Sequence, residues 1–300
     1  MGTIYYDLRH AFRLLRKSPI FTTIALVTMA LGIGANTAIF SIVNAVLLRP
    51  LAHSDSERLV KIVPAVRNLH LRDIGLSVVE LNDLRSQDDV FADVSAVWPI
   101  SANLTGGERP ERVEALAVSP NYFTMLGARP QMGRLFGAQD ISQGFAESVV
   151  ISDAVWHRLF GGDANVLGRK VQLDNDAYTI SGVLPPDFRH PGATISGDVE
   201  MWVTAGFASA PFPAPTRSIR LLPSAIGKLK PGVTLQQAQE RTRALAERLR
   251  KEFPTDYPTN TQWTLELDPL QESLVGHVRP MLFVLLGSVI MIALVASRRR

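Results

Sequence analysis

The sequence predicts an α+β protein in which two transmembrane helices flank a two-lobed extracytoplasmic domain. Three observations carry that reading. Two long uncharged runs are bounded by basic residues, the 231 residues between them alternate strand-like with helix-like periodicity, and cysteine is absent. The chain has 300 residues, 46% hydrophobic and 20% charged, which excludes disorder. Without cysteine, disulfide scaffolds, thiolate metal sites, iron–sulfur clusters and Cys nucleophiles are excluded as well. The net charge of +3 belongs to the two ends. Arg9, Arg13, Arg16 and Lys17 precede the first run and Arg298, Arg299 and Arg300 follow the second, which leaves 24 bases against 27 acids over residues 49–279. A mildly acidic middle implies no phosphate-tracking surface and no nucleic-acid partner.

Taken in order, residues 1–17 read as a basic amphipathic helix on the cytoplasmic side. Tyr5, Leu8, Phe12 and Leu15 keep 3-4-3 spacing, with Arg9, Arg13, Arg16 and Lys17 on the neighbouring face. Such a helix lies in the inner-leaflet interface; the same residues read equally as a simple topogenic flank. Residues 18–48 hold 31 positions without a charge. Crossing about 30 Å of hydrocarbon takes roughly 20 helical residues, so this run predicts a first span continued by a stalk. Ala30, Gly34 and Ala38 recur every four positions and predict a face against which another helix can pack. A cleaved signal peptide competes for this run, although no A-x-A site closes it.

Residues 280–297 form the second span: 18 uncharged positions, ten of them Leu, Ile, Val or Phe. Because both runs are flanked by basic residues at the chain ends, the positive-inside rule places both ends in the cytoplasm. Residues 49–279 then lie on the opposite side, and 298–300 form a cytoplasmic end.

Within that exported middle, 58–64 reads as a strand, and Ser77 with Glu80 forms a capping box that opens a helix reaching to about 87. Strands are expected at 94–104 and 112–118. Ser119 is expected to cap a short helix with Pro120 at its first position and Gly127 at its end. A strand at 148–152, a helix at 153–160 closed by Gly161 and Gly162, a hairpin of 169–174 with 177–184, and a strand at 199–204 follow. The proline-rich 208–215 is a linker. Beyond it, 218–230 is strand-like, and Thr234 with Gln237 caps a helix carrying Leu235, Ala238, Thr242, Leu245 and Leu249. A strand at 262–268 leads to the second span. This last βαβ unit mirrors the one over 58–104. One lobe is therefore expected from about 49–104 and 216–279, with about 105–210 inserted as a second, mixed α/β lobe.

A search for chemistry finds no catalytic constellation, metal set or cofactor site. The histidines at 10, 53, 70, 157, 190 and 277 show no ligand spacing. The segment from Gly162 to Arg169 has five residues between its glycines and Arg-Lys where a phosphate loop needs Lys-Ser/Thr. Asp73, Glu80, Asp83, Asp88 and Asp89 form an acidic cluster that reads as a solvated face.

Four stretches carry a family resemblance: DLRHAFRLLRKSPIFTTIALVTMALGIGANTAIFSIVNAVLLRPL, RVEALAVSPNYFTMLGARPQMGRLF, VVISDAVWHRLFGGDANVLGRKVQLDNDAYTISGVLPPDF and GKLKPGVTLQQAQERTRALAERLRKEFP. In content and order they resemble MacB/FtsX-type ABC transporter permeases, and in particular the large duplicated permeases described from acidobacteria. The resemblance implies a non-enzymatic inner-membrane subunit with a MacB-like periplasmic core domain made of a porter-like lobe and an inserted lobe. It implies a separate cytoplasmic ABC ATPase as partner and efflux or export as the process. A second permease copy and a periplasmic or outer-membrane partner are further expectations. Members of that family continue past the second span, so residues 1–300 would be an N-terminal part. The competing expectation is a two-span sensor with an extracytoplasmic ligand-binding domain.

Overall fold

The computed structural model describes residues 55–275 except 106–109, 141–143, 175 and 193–197, together with 19, 20, 22, 23 and 34. The chain divides into two units, Pro50–Leu274 and the flanks Met1–Arg49 with Val275–Arg300. Apart from those five isolated positions, the expected first helix and both expected spans lie outside the described residues. No helix among the described residues is long and apolar enough to cross a membrane.

The unit Pro50–Leu274 opens with β1 (Leu59–Val66), β2 (Leu71–Arg72), α1 (Val78–Arg85), β3 (Phe91–Thr105) and β4 (Glu111–Val118). There follow α2 (Tyr122–Leu126), β5 (Met132–Gly133), β6 (Phe145–Ile151), α3 (Asp153–Phe160), β7 (Lys170–Leu173), β8 (Asp176–Val183) and β9 (Met201–Ala205). The chain then runs through β10 (Ser224–Leu229), α4 (Leu235–Glu252), β11 (Trp263–Pro269) and α5 (Leu270–Val275).

These strands join in one sheet of order β11-β1-β10-β3-β4-β9-β6-β8-β5, with β2 on β1 and β7 on β3 and β8. The first four strands interleave two βαβ units, β1-α1-β3 and β10-α4-β11, and every pairing among them is antiparallel. Strands β4 to β9 are threaded between β3 and β10. The join is β3, whose 15 residues pair with β10 from Phe91 to Val97 and with β4 from Val97 to Leu104. The hydrogen-bonded ladder therefore runs unbroken from one group of strands into the other. Among the described residues, parallel pairs occur only beyond that join, between β4 and β9 and between β6 and β8.

Alternation along the strands sends side chains to two separate cores. Val60, Ile62, Val94, Ala96, Ala225, Leu265 and Leu267 meet Leu81 and Leu84 of α1 and Leu245 and Leu249 of α4. Both long connections thus cover the same face. The opposite face carries Leu59, Val97, Ile226, Val118, Val150 and Trp202, packed with Tyr122, Phe123, Met125 and Leu126 of α2.

Both expected capping boxes are present. Ser77 Oγ accepts from the Glu80 N–H while Glu80 accepts from the Ser77 N–H, and Thr234 does the same with Gln237. Helix α3 is capped by Ser152 and closed by Gly161 at φ +61°. Three expectations need correction. Helix α2 starts at Tyr122 behind Asn121, not behind Ser119, because the Ser119 hydroxyl already accepts from Arg85 and from the Ala96 N–H. The strand expected over 218–230 is confined to β10. Leu222 forms only a single bridge to Leu76, and Pro223 has no N–H to continue a ladder. Leu235, expected on the buried face of α4, is 37% exposed, since a first-turn side chain leans back past the helix start.

Candidate functional site

A densely connected polar group lies where α1, the chain entering β10 and the segment after α4 meet. Glu80 is fully buried. Its Oε2 accepts the Ser77 N–H at 2.8 Å, its Oε1 accepts the Tyr257 hydroxyl at 2.8 Å, and Arg220 Nη1 reaches both oxygens at 2.9 Å. Behind it, Tyr257 stacks on Trp263 with ring centroids 4.2 Å apart, and the Arg220 guanidinium lies 5.3 Å from the Trp263 ring. A second arginine repeats the connection on the surface side. Arg217 pairs with Asp83 of α1 and sits 3.9 Å over the Phe253 ring.

Burial pushes the Glu80 carboxyl up from its ordinary value, while Arg220, the Ser77 N–H and the Tyr257 hydroxyl oppose that rise. The Tyr257 hydroxyl is pushed up too, by burial first and then by Glu80. A carboxylate with its lone pairs occupied and no exposed surface has no substrate to reach. The group is a joint. It fastens the chain returning from β9 to the helix that began before β3, across 140 positions of sequence.

The reading of Asp73, Glu80, Asp83, Asp88 and Asp89 as one solvated face is therefore corrected at Glu80. Asp73 pairs with Lys61, Asp83 with Arg217 and Asp89 with Arg241, so three of the remaining acids are held by separate partners. The signal for Glu80 was its capping box, which fixed its position on α1; Arg220 and Tyr257 had no local signal.

A second carboxylate organises the turn between β5 and β6. Asp140 accepts from Arg134 at 2.7 and 3.0 Å, from the Gly137 N–H at 3.1 Å and from Ser148 Oγ at 3.3 Å. Burial alone would raise its pKa, but Arg134, Gly137 and Ser148 together hold it below the ordinary 3.8. The folded state thus binds this proton less readily than the unfolded chain. Its stabilisation is present in full above the unfolded value and is lost as pH falls through the folded one. In urea unfolding between pH 2 and 6, Asp140→Asn is expected to be less stable than the parent at the upper end. Its curve should also be flatter toward acid. Parallel curves would contradict this.

Two of the cavities on the described surface adjoin the sheet. One of about 220 Å³ lies on the face opposite α1 and α4, lined by Lys61, Asp73, Val97, Pro99, His190 and Ile226. His190 Nδ1 is 2.6 Å from the Tyr122 hydroxyl. The other, of about 510 Å³, lies beside β6 and β8 and is lined by Phe145, Glu147, Lys170 and Tyr178. The first also holds Ser224 and Ser273, and Ser273 Oγ donates to the Leu270 carbonyl. Among the described residues no three His, Asp or Glu side chains are placed to hold a metal ion. His157 is exposed and bonds the Asp153 carbonyl, one helical turn away.

Of the residues singled out on the flanks, Arg9, Arg13, Arg16, Lys17, Ala30, Ala38, Arg298, Arg299 and Arg300 lie outside the described residues. Gly34 is helical and exposed, and a Cβ there would meet nothing within 4 Å.

The interleaved βαβ pairs, with a group of strands threaded between them, are the geometry against which known proteins can be compared. Residues 22–245 match the family of the MacB-like periplasmic core domain. The chain belongs to that family. Among solved structures, the MacB-like core domain is similar to the periplasmic region of MacB from Actinobacillus actinomycetemcomitans. The TM-score is 0.52 at 15% identity, over 75% of this chain and 94% of that one. It is also similar to the extracellular domain of the noncanonic ABC-type transporter YknZ from Gram-positive bacteria. There the TM-score is 0.50 at 17% identity, over 70% of this chain and 99% of that one. At these identities the likeness concerns the fold. No curated protein matches the chain by sequence. The described unit is thus a MacB-like periplasmic core domain of mixed α/β fold.

Proposed function

We propose that this chain is the permease subunit, or its N-terminal part, of a MacB/FtsX-type ABC transporter working in efflux or export. Hydrolysis of ATP by a separate cytoplasmic ATPase would move the core domain, and this chain would carry no catalytic residue of its own. The observation that carries the reading is the extent of the family match. It begins at residue 22, inside the uncharged run, and continues to residue 245 in α4. A run of 31 uncharged positions joined directly to such a domain suits a span with a stalk that transmits force. The Glu80 joint supports the same reading, because it adds a side-chain tie between α1 and the chain entering β10 to the ladders that join β10 to β1 and β3.

In this proposal residues 18–48 and 280–297 cross the inner membrane and about 49–279 lie in the periplasm. Arg9, Arg13, Arg16, Lys17, Arg298, Arg299 and Arg300 anchor both ends at the cytoplasmic leaflet. Ala30, Gly34 and Ala38 would face a neighbouring span, from this chain or from a second permease copy. A periplasmic or outer-membrane partner would receive the movement.

The cysteine-free background makes a direct test possible. A single cysteine at the exposed position Gln236 is expected to react with a membrane-impermeant maleimide in intact spheroplasts, and one at His10 only after permeabilisation. Co-expression with the ABC ATPases of the same genome, followed by capture in mild detergent, is expected to retain one ATPase. Reversed labelling would remove the topology. With correct labelling, failure of the gene product to retain any ATPase would remove the transporter reading.

A further inference from the structure

Strand β11 ends the sheet on one side: its partner is β1, and among the described strands nothing pairs with its other edge. A seven-residue edge is a template for pairing with another chain, because its outward N–H and C=O groups seek partners. The opposite end of the sheet is β5, which has only two residues and offers little to pair with.

The free edge of β11 is met by one side chain. Gln239 of α4 donates its amide N–H to the Leu265 carbonyl at 3.2 Å and accepts the Leu267 N–H at 2.7 Å. Residues 265 and 267 point their backbone groups the same way, away from β1. One carbonyl and the N–H two residues on are the pair that a single residue of a parallel strand would engage. The Gln239 amide therefore takes the place of one residue of a neighbouring strand. Two positions further along the same side stands Pro269, which has no N–H to offer.

We propose that Gln239 guards this edge, keeping β11 from pairing with a second copy of the chain. Charge does not bar a second copy from this edge. Glu266 and Asp268 would otherwise repel an identical strand laid alongside. Glu266 is already neutralised by Arg67 and Arg72, and Asp268 by Arg72. With charge removed as a deterrent, the amide and Pro269 are what stand between β11 and its own image.

The test uses the full chain in detergent, as Gln239→Met, Gln239→Ala and the control Gln236→Ala. The control removes an exposed contact to Glu240 on the same helix. Two readings are taken over a hundredfold range of protein concentration: mass by sedimentation and hydrogen exchange of the Leu267 amide. In the parent and the control both are expected to be independent of concentration over this range. In the Gln239 variants the amide should exchange about tenfold faster when dilute, as loss of one hydrogen bond implies. It should then become protected again on concentration as mass rises toward twice the parent's. Unchanged mass at every concentration overturns the proposal, whether or not exchange is faster, and leaves Gln239 a strut between helix and sheet. If Gln239→Met and Gln239→Ala lose the native tryptophan fluorescence, Gln239→Ser decides by the same readings, because its shorter side chain reaches neither Leu265 nor Leu267.

Discussion

Replacing Glu80 by alanine is expected to destabilise the core domain by about 3–5 kcal/mol, because it leaves a guanidinium without its buried counter-charge. Arg220 is held by that carboxylate, by the Gly75 carbonyl and by aromatic rings, and only the carboxylate neutralises it. The Tyr257 hydroxyl and the Ser77 N–H lose their acceptor in the same step. Urea unfolding read by tryptophan fluorescence suits the measurement, since all four tryptophans lie in the unit Pro50–Leu274 and Trp263 lies beside Arg220. Arg220→Ala alone should cost a comparable amount. The double variant Glu80→Ala with Arg220→Ala should cost clearly less than the sum, as two groups of one network do. Strict additivity, or a loss below about 1 kcal/mol for the single variant, would mean that the joint carries no load.

Phe123→Ala is the second large effect, again about 3–5 kcal/mol, this time from a cavity. Phe123 is 1% exposed, on α2, and its ring stands 5.1 Å from Tyr122, 5.4 Å from Phe136, 5.9 Å from Phe188 and 6.1 Å from Trp202. These contacts come from five-residue α2, the turn after β5, the chain after β8 and strand β9. Four separate pieces of chain meet on this ring, so the gap cannot close by a shift of one element. Trp202 lies fully buried beside the gap, and its emission should move to the red. A variant that unfolds at the parent's urea concentration with unchanged emission would show that this face repacks freely.

The two effects differ in how far the sequence announces them. Glu80 stands three positions after Ser77, so its place on the first turn of α1 is a local matter of one N-cap and one reach-back bond. Its burial is not local: the partners that make burial tolerable are 140 and 177 positions away. By charge alone it looks like one more acid among five. The same division appears at Ser119, a good N-cap by composition whose hydroxyl is claimed by Arg85 and the Ala96 N–H, so that α2 begins behind Asn121. Where no distant group competed, as at Thr234, the cap stands where the sequence placed it. Gln239 was the least visible of all. On α4 it reads as an ordinary polar residue next to buried Ala238, and only the position of β11 beside it makes its amide matter.

What the sequence by itself determined is whatever depends on neighbours within a few positions. The capping boxes, the glycine stops, the alternation that assigns strands and the charge-free runs are all of this kind. So is the family, because enough local stretches recur in the same order along 22–245. Tertiary structure alone decided the strand order, the continuity of the ladder through β3, the burial of Glu80 and the capping of the β11 edge. The physical reason is common to them. A backbone or charged group is satisfied by whichever partner folding brings within about 3 Å, and separation along the chain places no limit on which partner that is.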